Sequence, residues 1–336
     1  MTKQTCKIAI RGAGIVGLWQ ALTLSRRGHK VTLCERSPVP FTDACSLYAG
    51  AMIAPNCEEE SAEPVVRDLG LRSLVLWRET YPDAVVNGTL VVALHRDRAE
   101  LDRFGRMTEN HQRLSPDELV KLEPALTDRF AGALLYPDEG HLSPEPALHF
   151  LLEQAKAAGA EVRLGEGEYP VDSDLVIDCR GLAAKDELPT LRGVRGERIV
   201  VKSRDVNITR PIRMLHPRFP LYVVPWGNGT YMIGATVIES EETGPITLRS
   251  ALDLLSAAYA LDPTFAEAEI VLQGAGARPA FPDNRPRIML SQRYIYVNGL
   301  YRHGFLLGPA LAERVADFIE TGAADSEVFV ADPAQR

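Results

Sequence analysis

The chain has 336 residues, 46% hydrophobic and 24% charged, with 37 Lys plus Arg against 45 Asp plus Glu for a net charge of −8. This is ordinary folded composition, sufficient for one large core or two intimately joined domains, and it excludes collagen-like and disordered classes. The negative balance and the lack of a basic stripe speak against a nucleic-acid surface, the short, charge-interrupted apolar runs against a membrane span, and the polar residues 1–7 against a secretory signal. Five cysteines, Cys6, Cys34, Cys45, Cys57 and Cys179, are odd in number and contain no C-x-x-C pair. They read as reduced thiols of a cytoplasmic protein, with neither a disulfide framework nor a zinc site.

Residues 7–36 carry the first motif. A short β-branched run at 7–10 suits a buried parallel strand, and Gly12, Gly14 and Gly17 follow in G-x-G-x-x-G spacing with Ala13, Ile15 and Val16 between them. Val16, Leu18, Ala21, Leu22 and Leu24 then repeat at helical spacing, and a second strand at 31–34 ends on Glu35. Gly12 serves a tight turn, Gly14 lets backbone approach a pyrophosphate, and Gly17 lets the helix pack closely on the strand. The helix N-terminus then offers unpaired N–H groups and the positive end of its dipole to phosphates. Glu35, about twenty residues beyond the first glycines, stands where a carboxylate accepts a ribose 2′-OH. An acid there disfavours a 2′-phosphate, so the motif predicts NAD or FAD rather than NADP.

After a Pro-containing loop at 37–45, the small-residue run Ala49, Gly50, Ala51 and Ala54 allows backbone to lie flat against something planar, or simply to pack as a tight turn. Residues 64–81 predict a core-facing helix through Val65, Val66, Leu69, Leu71, Leu74, Val75 and Trp77. A strand is expected at 90–94, a polar helix at 98–111, and a short helix at 115–122 opened by a Ser115/Glu118 capping box with Pro116 at its first position. Strand 133–136, helix 146–158 and strands 161–164 and 174–179 follow. The last ends on DCRG, like a further βα turn of the first sheet. No second G-x-G-x-x-G occurs, so one dinucleotide site is predicted. Residues 196–234 alternate as antiparallel strands with a hairpin turn at 227–229. Helix 247–261, with a stripe at Leu248, Leu252, Leu255 and Ala258, precedes a strand at 269–277, a last strand at 294–298, and a Gly-rich turn into a terminal helix.

RGAGIVGLWQALTLSRRGHKVTLCER, AGAMIAP, the Gly-Ala-Arg-Pro of 276–279 and the closing GLYRHGFLLGPALAE resemble the D-amino acid oxidase superfamily of FAD enzymes. They are most like its glycine oxidase branch, the kind that supplies imine for thiazole synthesis in thiamine biosynthesis. The resemblance implies a mixed α/β fold, with a Rossmann-like FAD-binding domain built on a parallel sheet and a substrate domain built on a large antiparallel sheet. The expected division is 1–81 with 131–190 and 285–336 for FAD, and 82–130 with 191–284 for substrate. Carried over residue by residue, Gly12, Gly14 and Gly17 hold the pyrophosphate, and Glu35 and Arg36 lie by the adenosine. Ala49, Gly50, Ala51 and Met52 lie against the isoalloxazine, and Gly181 closes on the nucleotide. Arg302, His303, Gly304, Phe305, Leu306 and Leu307 run along the flavin's pyrimidine edge, where helix N–H groups favour negative charge. Arg278 matches the arginine that forks onto the substrate carboxylate, Tyr222 a tyrosine that assists it, and Arg302 a second contact.

The resemblance implies non-covalent FAD, since 278–307 holds no cysteine to tether it, and a small amino acid substrate with oxygen as electron acceptor. No Asp, Glu or Lys stands among the substrate-side candidates Tyr222, Arg278 and Arg302, so hydride transfer without an essential general base is expected. An N-methyl amino acid oxidase, a dehydrogenase with another acceptor, and an inactive FAD- or NAD-binding protein remain as alternatives, and a homo-oligomer stays open. Two departures from the family pattern stand out: Arg180 occupies a place where small residues are usual, and segment 161–180 is short.

Overall fold

The structure, a computed structural model, describes residues 5–126, 129–216 and 221–331. Its first sheet has seven strands in the order Phe329–Ala331, Arg287–Ser291, Tyr294–Asn298, Leu175–Asp178, Lys7–Arg11, Lys30–Glu35, Glu161–Leu164. Every pairing is parallel except Arg287–Ser291 against Tyr294–Asn298. Lys7–Arg11 buries Ile8, Ala9 and Ile10 in succession, as a central parallel strand with no solvent face must. Helix Ile15–Arg26 leaves this strand through the glycine turn and packs on Gly304–Thr321 and Pro144–Ala157, while Pro64–Thr80 packs on Gly304–Thr321. The first and last motifs of the chain are thereby brought side by side.

The second sheet has nine strands. Along its path run Ile238–Glu239, Arg192–Lys202, Thr230–Gly234, Leu221–Gly227, Ile212–Leu215, Thr89–Leu94, Phe130–Tyr136 and Gln112–Leu114, with Glu269–Ala280 paired to Arg192–Lys202. Pairing is antiparallel apart from Ile212–Leu215 with Thr89–Leu94. Alternation gives the sheet two different faces. Leu221, Val223 and Ile233 pack with Leu254, Ala258 and Leu261 of helix Leu248–Leu261. Val200, Val224 and Met232, with the partly buried Tyr222 and Trp226, form a separate cluster on the other face. One face therefore builds a core and the other is left to build a site. A small sheet of Met52–Ile53, Gly140–His141 and Val85–Val86 joins the two layers.

Several expectations are corrected. Phe130–Tyr136 pairs with Thr89–Leu94, so residues 131–136 belong to the larger sheet and not with the nucleotide sheet; Leu90, Val92 and Ala133 join the core on one face, and Val91 and Leu134 a separate cluster on the other. The helix begun at 98 stops at Met107, because Asn110 takes a positive φ of 57° and Gln112–Leu114 turns into an edge strand. In Leu248–Leu261 the buried side is Leu254, Ala258 and Leu261, whereas Leu248 and Leu252 are 78% and 58% exposed. The apolar residues on both sides of that helix left the sequence pattern ambiguous. Leu71 and Val75 likewise face outward from Pro64–Thr80. Ile212–Leu215 and Phe329–Ala331 lack a clear period-2 signal and were not anticipated, so Tyr294–Asn298 is not the last strand. The Ser115/Glu118 capping box forms as expected.

Candidate active site

At the glycine turn the local geometry demands the residues found. Gly12 has φ +95°, and a Cβ there would lie 2.8 Å from the Cys179 carbonyl oxygen; a methyl at Gly17 would overlap the carbonyl oxygen of Gly12. The N–H of Ile15 donates to Ser46 Oγ at 3.1 Å, and other first-turn N–H groups have no intrahelical acceptor. Glu35 accepts from Ala13 N–H at 2.8 Å and from Ser37 N–H at 3.2 Å, so it ties the second strand to the turn. Gly181 has φ +59°, and its carbonyl accepts from Asn298 Nδ2 at 2.9 Å. The unusual Arg180 is absorbed by Asp178 at 2.7 Å and Asp186 at 2.9 Å.

A cavity of about 910 Å3 is lined by this turn, by Glu35 and Arg36, by the run Ala49 to Met52, and by Tyr222, Arg278, Arg302, His303, Gly304, Phe305 and Leu306. Gly12, Gly14, Ile15, Val16 and Gly181 also line it. Ala13, Gly17 and Leu307 do not; they stand behind the wall, where Ala13 and Leu307 are core residues. The wall at 46–50 has a support that the sequence did not disclose. Arg198, 3% exposed, donates to the carbonyls of Leu47 at 2.7 Å and Ala49 at 3.2 Å, and lies 5.0 Å from the Trp226 ring centroid and 5.6 Å from that of Tyr48. Burial pushes its pKa down to about 10.

Arg278 comes from strand Glu269–Ala280, on the face that also carries Gly274 and Gly276. Its Nη1 donates to the Thr236 carbonyl at 3.0 Å, and no carboxylate pairs with it among the described residues. Burial, to which the neighbouring Arg302 charge adds, pulls its pKa down. The guanidinium lies over Gly196 of the adjoining strand, where any Cβ would overlap it. Gly196 was missed, although a glycine inside a β-branched strand is itself a sign of close approach. The Tyr222 hydroxyl makes no hydrogen bond among the described residues, and burial raises its pKa. The Arg213 guanidinium lies 5.4 Å from its ring centroid.

Arg302 is differently placed. Its Nε and Nη2 donate to Glu58 Oε2 at 3.0 and 2.5 Å, and Nη2 also reaches Ser61 Oγ at 2.9 Å. His303 Nε2 lies 2.8 Å from the same Glu58 oxygen and 3.3 Å from Arg302 Nε. One nitrogen cannot donate to the carboxylate and accept from the guanidinium together. The ionised carboxylate fixes Nε2 as the protonated nitrogen, and the Arg302 approach is a contact only. Burial would raise the Glu58 pKa, but Arg302 and His303 hold it well below the usual carboxylate range. Burial lowers the His303 pKa, with Glu58 partly opposing, and its Nδ1 is buried without a partner among the described residues. The site therefore does contain an acid, contrary to the sequence reading. Glu58 escaped notice because it stands in a run of three glutamates that looks solvated.

The comparisons with known proteins agree with this geometry. A family model described as "FAD dependent oxidoreductase" (DAO) matches residues 7–318. The "Putative thiamine biosynthesis oxidoreductase ThiO" of Rhizobium etli is 48% identical over 312 residues, covering 92% of this chain and 95% of that protein. Glycine oxidase of Geobacillus kaustophilus is 26% identical over 352 residues, 93% of this chain and 92% of its own. The crystal structure of glycine oxidase from Geobacillus kaustophilus superposes with a TM-score of 0.82 at 24% identity, covering 96% of each chain, which is a likeness of fold.

Proposed function

This chain belongs to the DAO family of FAD-dependent oxidoreductases, and we propose that it oxidatively deaminates glycine or a small D-amino acid. The products are a 2-oxo acid and ammonia, with oxygen reduced to hydrogen peroxide. The observation that carries the substrate half of this reading is Arg278, a guanidinium in the cavity wall with a carbonyl for company and no anion. The residues present fit the cofactor: the cradle at Gly12 admits no side chain, Glu35 is fixed against the turn, and the volume suits a large ligand. Bound FAD supplies the chemistry of accepting a hydride from the substrate α-carbon.

The chain's own groups bind and orient. Arg278 offers two parallel N–H bonds to a carboxylate, which fixes direction as well as position. Tyr222, kept protonated by burial, donates a further bond to the same group. The N-terminus of helix Gly304–Thr321 opens on the cavity, and its dipole favours negative charge there. Non-covalent attachment is supported by the thiols in the wall, Cys34, Cys45 and Cys179, all pushed up by burial, and by His303 Nε2 being engaged with Glu58.

The test is to add glycine, sarcosine or D-alanine to the purified holoprotein without oxygen. Bleaching of the yellow colour by glycine or D-alanine is expected. Bleaching by sarcosine alone would move the assignment to an N-methyl amino acid oxidase, and no bleaching by any of the three would sink the reading.

A further inference from the structure

We infer that Glu58 is the group that receives the substrate's ammonium, one carboxylate oxygen holding Arg302 and His303 in place while the other accepts an N–H from the amine. This rests on the reading of the substrate as an amino acid held through Arg278.

The two oxygens of the Glu58 carboxylate are used unequally. Arg302 Nε, Arg302 Nη2 and His303 Nε2 all converge on Oε2. Oε1 accepts nothing among the described residues, although a carboxylate oxygen has room for two donors. The residue is only 8% exposed and lines the same cavity as Arg278 and Tyr222. An oxygen so placed has no protein donor and opens on the cavity, where a ligand that displaces water must supply the donor or leave it unsatisfied.

The ligand's chemistry supplies it. An amino acid brings a carboxylate, which Arg278 can take, and an ammonium, which needs an anionic or carbonyl acceptor. The other carboxylates in the cavity wall are already engaged with the turn or with arginines: Glu35 by Ala13 and Ser37, Asp43 by Arg36, Asp186 by Arg180, and Glu166 beside Arg163. Asp43, Glu166 and Asp186 are exposed to solvent and Glu35 is half-buried, whereas Glu58 alone of them is buried with an oxygen that no protein donor reaches, and it stands with the Arg302 and His303 of the proposed flavin edge.

The position of Glu58 is fixed from behind. The turn Pro55–Glu58 is pinned where Cys57 N–H donates to the buried Glu139 Oε1 at 2.8 Å and where Arg213 Nη1 donates to the Cys57 carbonyl at 3.0 Å. Because Arg302 and His303 keep Glu58 ionised, it holds the ammonium and does not take its proton. It is an anchor for the amine, and it discriminates amino acids from hydroxy acids of the same shape.

The experiment compares glycine with glycolate, which keeps the carboxylate and replaces the ammonium with a hydroxyl. Apparent affinity for glycine is read from anaerobic flavin reduction, and affinity for glycolate from the perturbed flavin spectrum, in wild type, Glu58→Gln and Glu58→Asp holoproteins. Glu58→Gln should weaken glycine by about tenfold or more, the worth of a charge-assisted hydrogen bond, and change glycolate less than about twofold. Glu58→Asp keeps the charge but withdraws it, and should show the same split if the glutamine variant fails to retain FAD. Equal losses for both ligands would reduce Glu58 to a prop for Arg302, and an unchanged glycine affinity would overturn the inference outright. If wild type binds neither ligand, it is the amino acid reading that has failed, not the role of Glu58 within it.

Discussion

Arg278 and Arg302 enter the same cavity wall from different sheets, and they are kept in opposite states. Arg302 stands in the turn between strand Tyr294–Asn298 and helix Gly304–Thr321, and spends Nε and Nη2 on Glu58 and Ser61. Arg278 projects from the nine-stranded sheet over Gly196 and has only the neutral Thr236 carbonyl. Burial lowers the proton affinity of both groups, but the Glu58 charge more than reverses this at Arg302, whereas at Arg278 the depression stands. A buried cation with its anion supports the fold; one without is a liability to the fold, kept for a ligand that brings the anion. The difference teaches which arginine to read as scaffold and which as binding group, something that residue type and proximity to the cavity do not reveal.

The sharpest way to break the comparison on the side of stability is Arg302→Met. Glu58 would be left buried with only His303, and the loss should be about 3–5 kcal/mol in thermal or denaturant unfolding. The pH dependence has a definite sign. Glu58 has a depressed pKa in the folded state, so its contribution is full above the unfolded carboxylate value, about 4.3, and is lost as pH falls towards the folded one. The deficit of the variant should be complete at neutral pH and shrink in acid. A deficit independent of pH would mean that packing, not charge, holds Arg302.

Gly196→Ala sharpens the comparison from the other side with a smaller effect. The methyl would overlap the Arg278 guanidinium and push it off the strand, which should weaken substrate by about 1–3 kcal/mol in kcat/KM while FAD content stays at the wild-type level. Unchanged kinetics would show that the guanidinium has another place to lie.

How much of this was legible follows from where the physics is local. Gly12, Gly17 and Glu35 could be named because turn, close packing and carboxylate all act within one βαβ unit. The Arg278 assignment came from the Gly-Ala-Arg-Pro resemblance, while its isolation could only be seen once Gly196 and Thr236 were placed around it. Glu58, Glu59 and Glu60 are alike in sequence and take three directions: Glu58 turns inward to Arg302, Glu59 to Arg67, and Glu60 to Arg103 and Arg213. Partners far along the chain decide among them, and no local pattern encodes that choice. Helix Leu248–Leu261 was misread by face for a related reason, since its exposed Leu248 and Leu252 are as apolar as the buried Leu254 and Leu261.

Arg278→Met has the smallest expected effect on stability and tests the central claim most directly. Unfolding of the holoprotein and its anaerobic reduction by glycine or D-alanine are measured on the same preparation. Replacing an unpaired, half-buried cation by an apolar side chain of similar length should leave the melting temperature unchanged or raised. Apparent substrate affinity should fall by about 2–5 kcal/mol, roughly thirtyfold or more, because the incoming carboxylate loses its partner in a dry site. Reduction at wild-type affinity, or a loss of stability as large as that of Arg302→Met, would contradict the account.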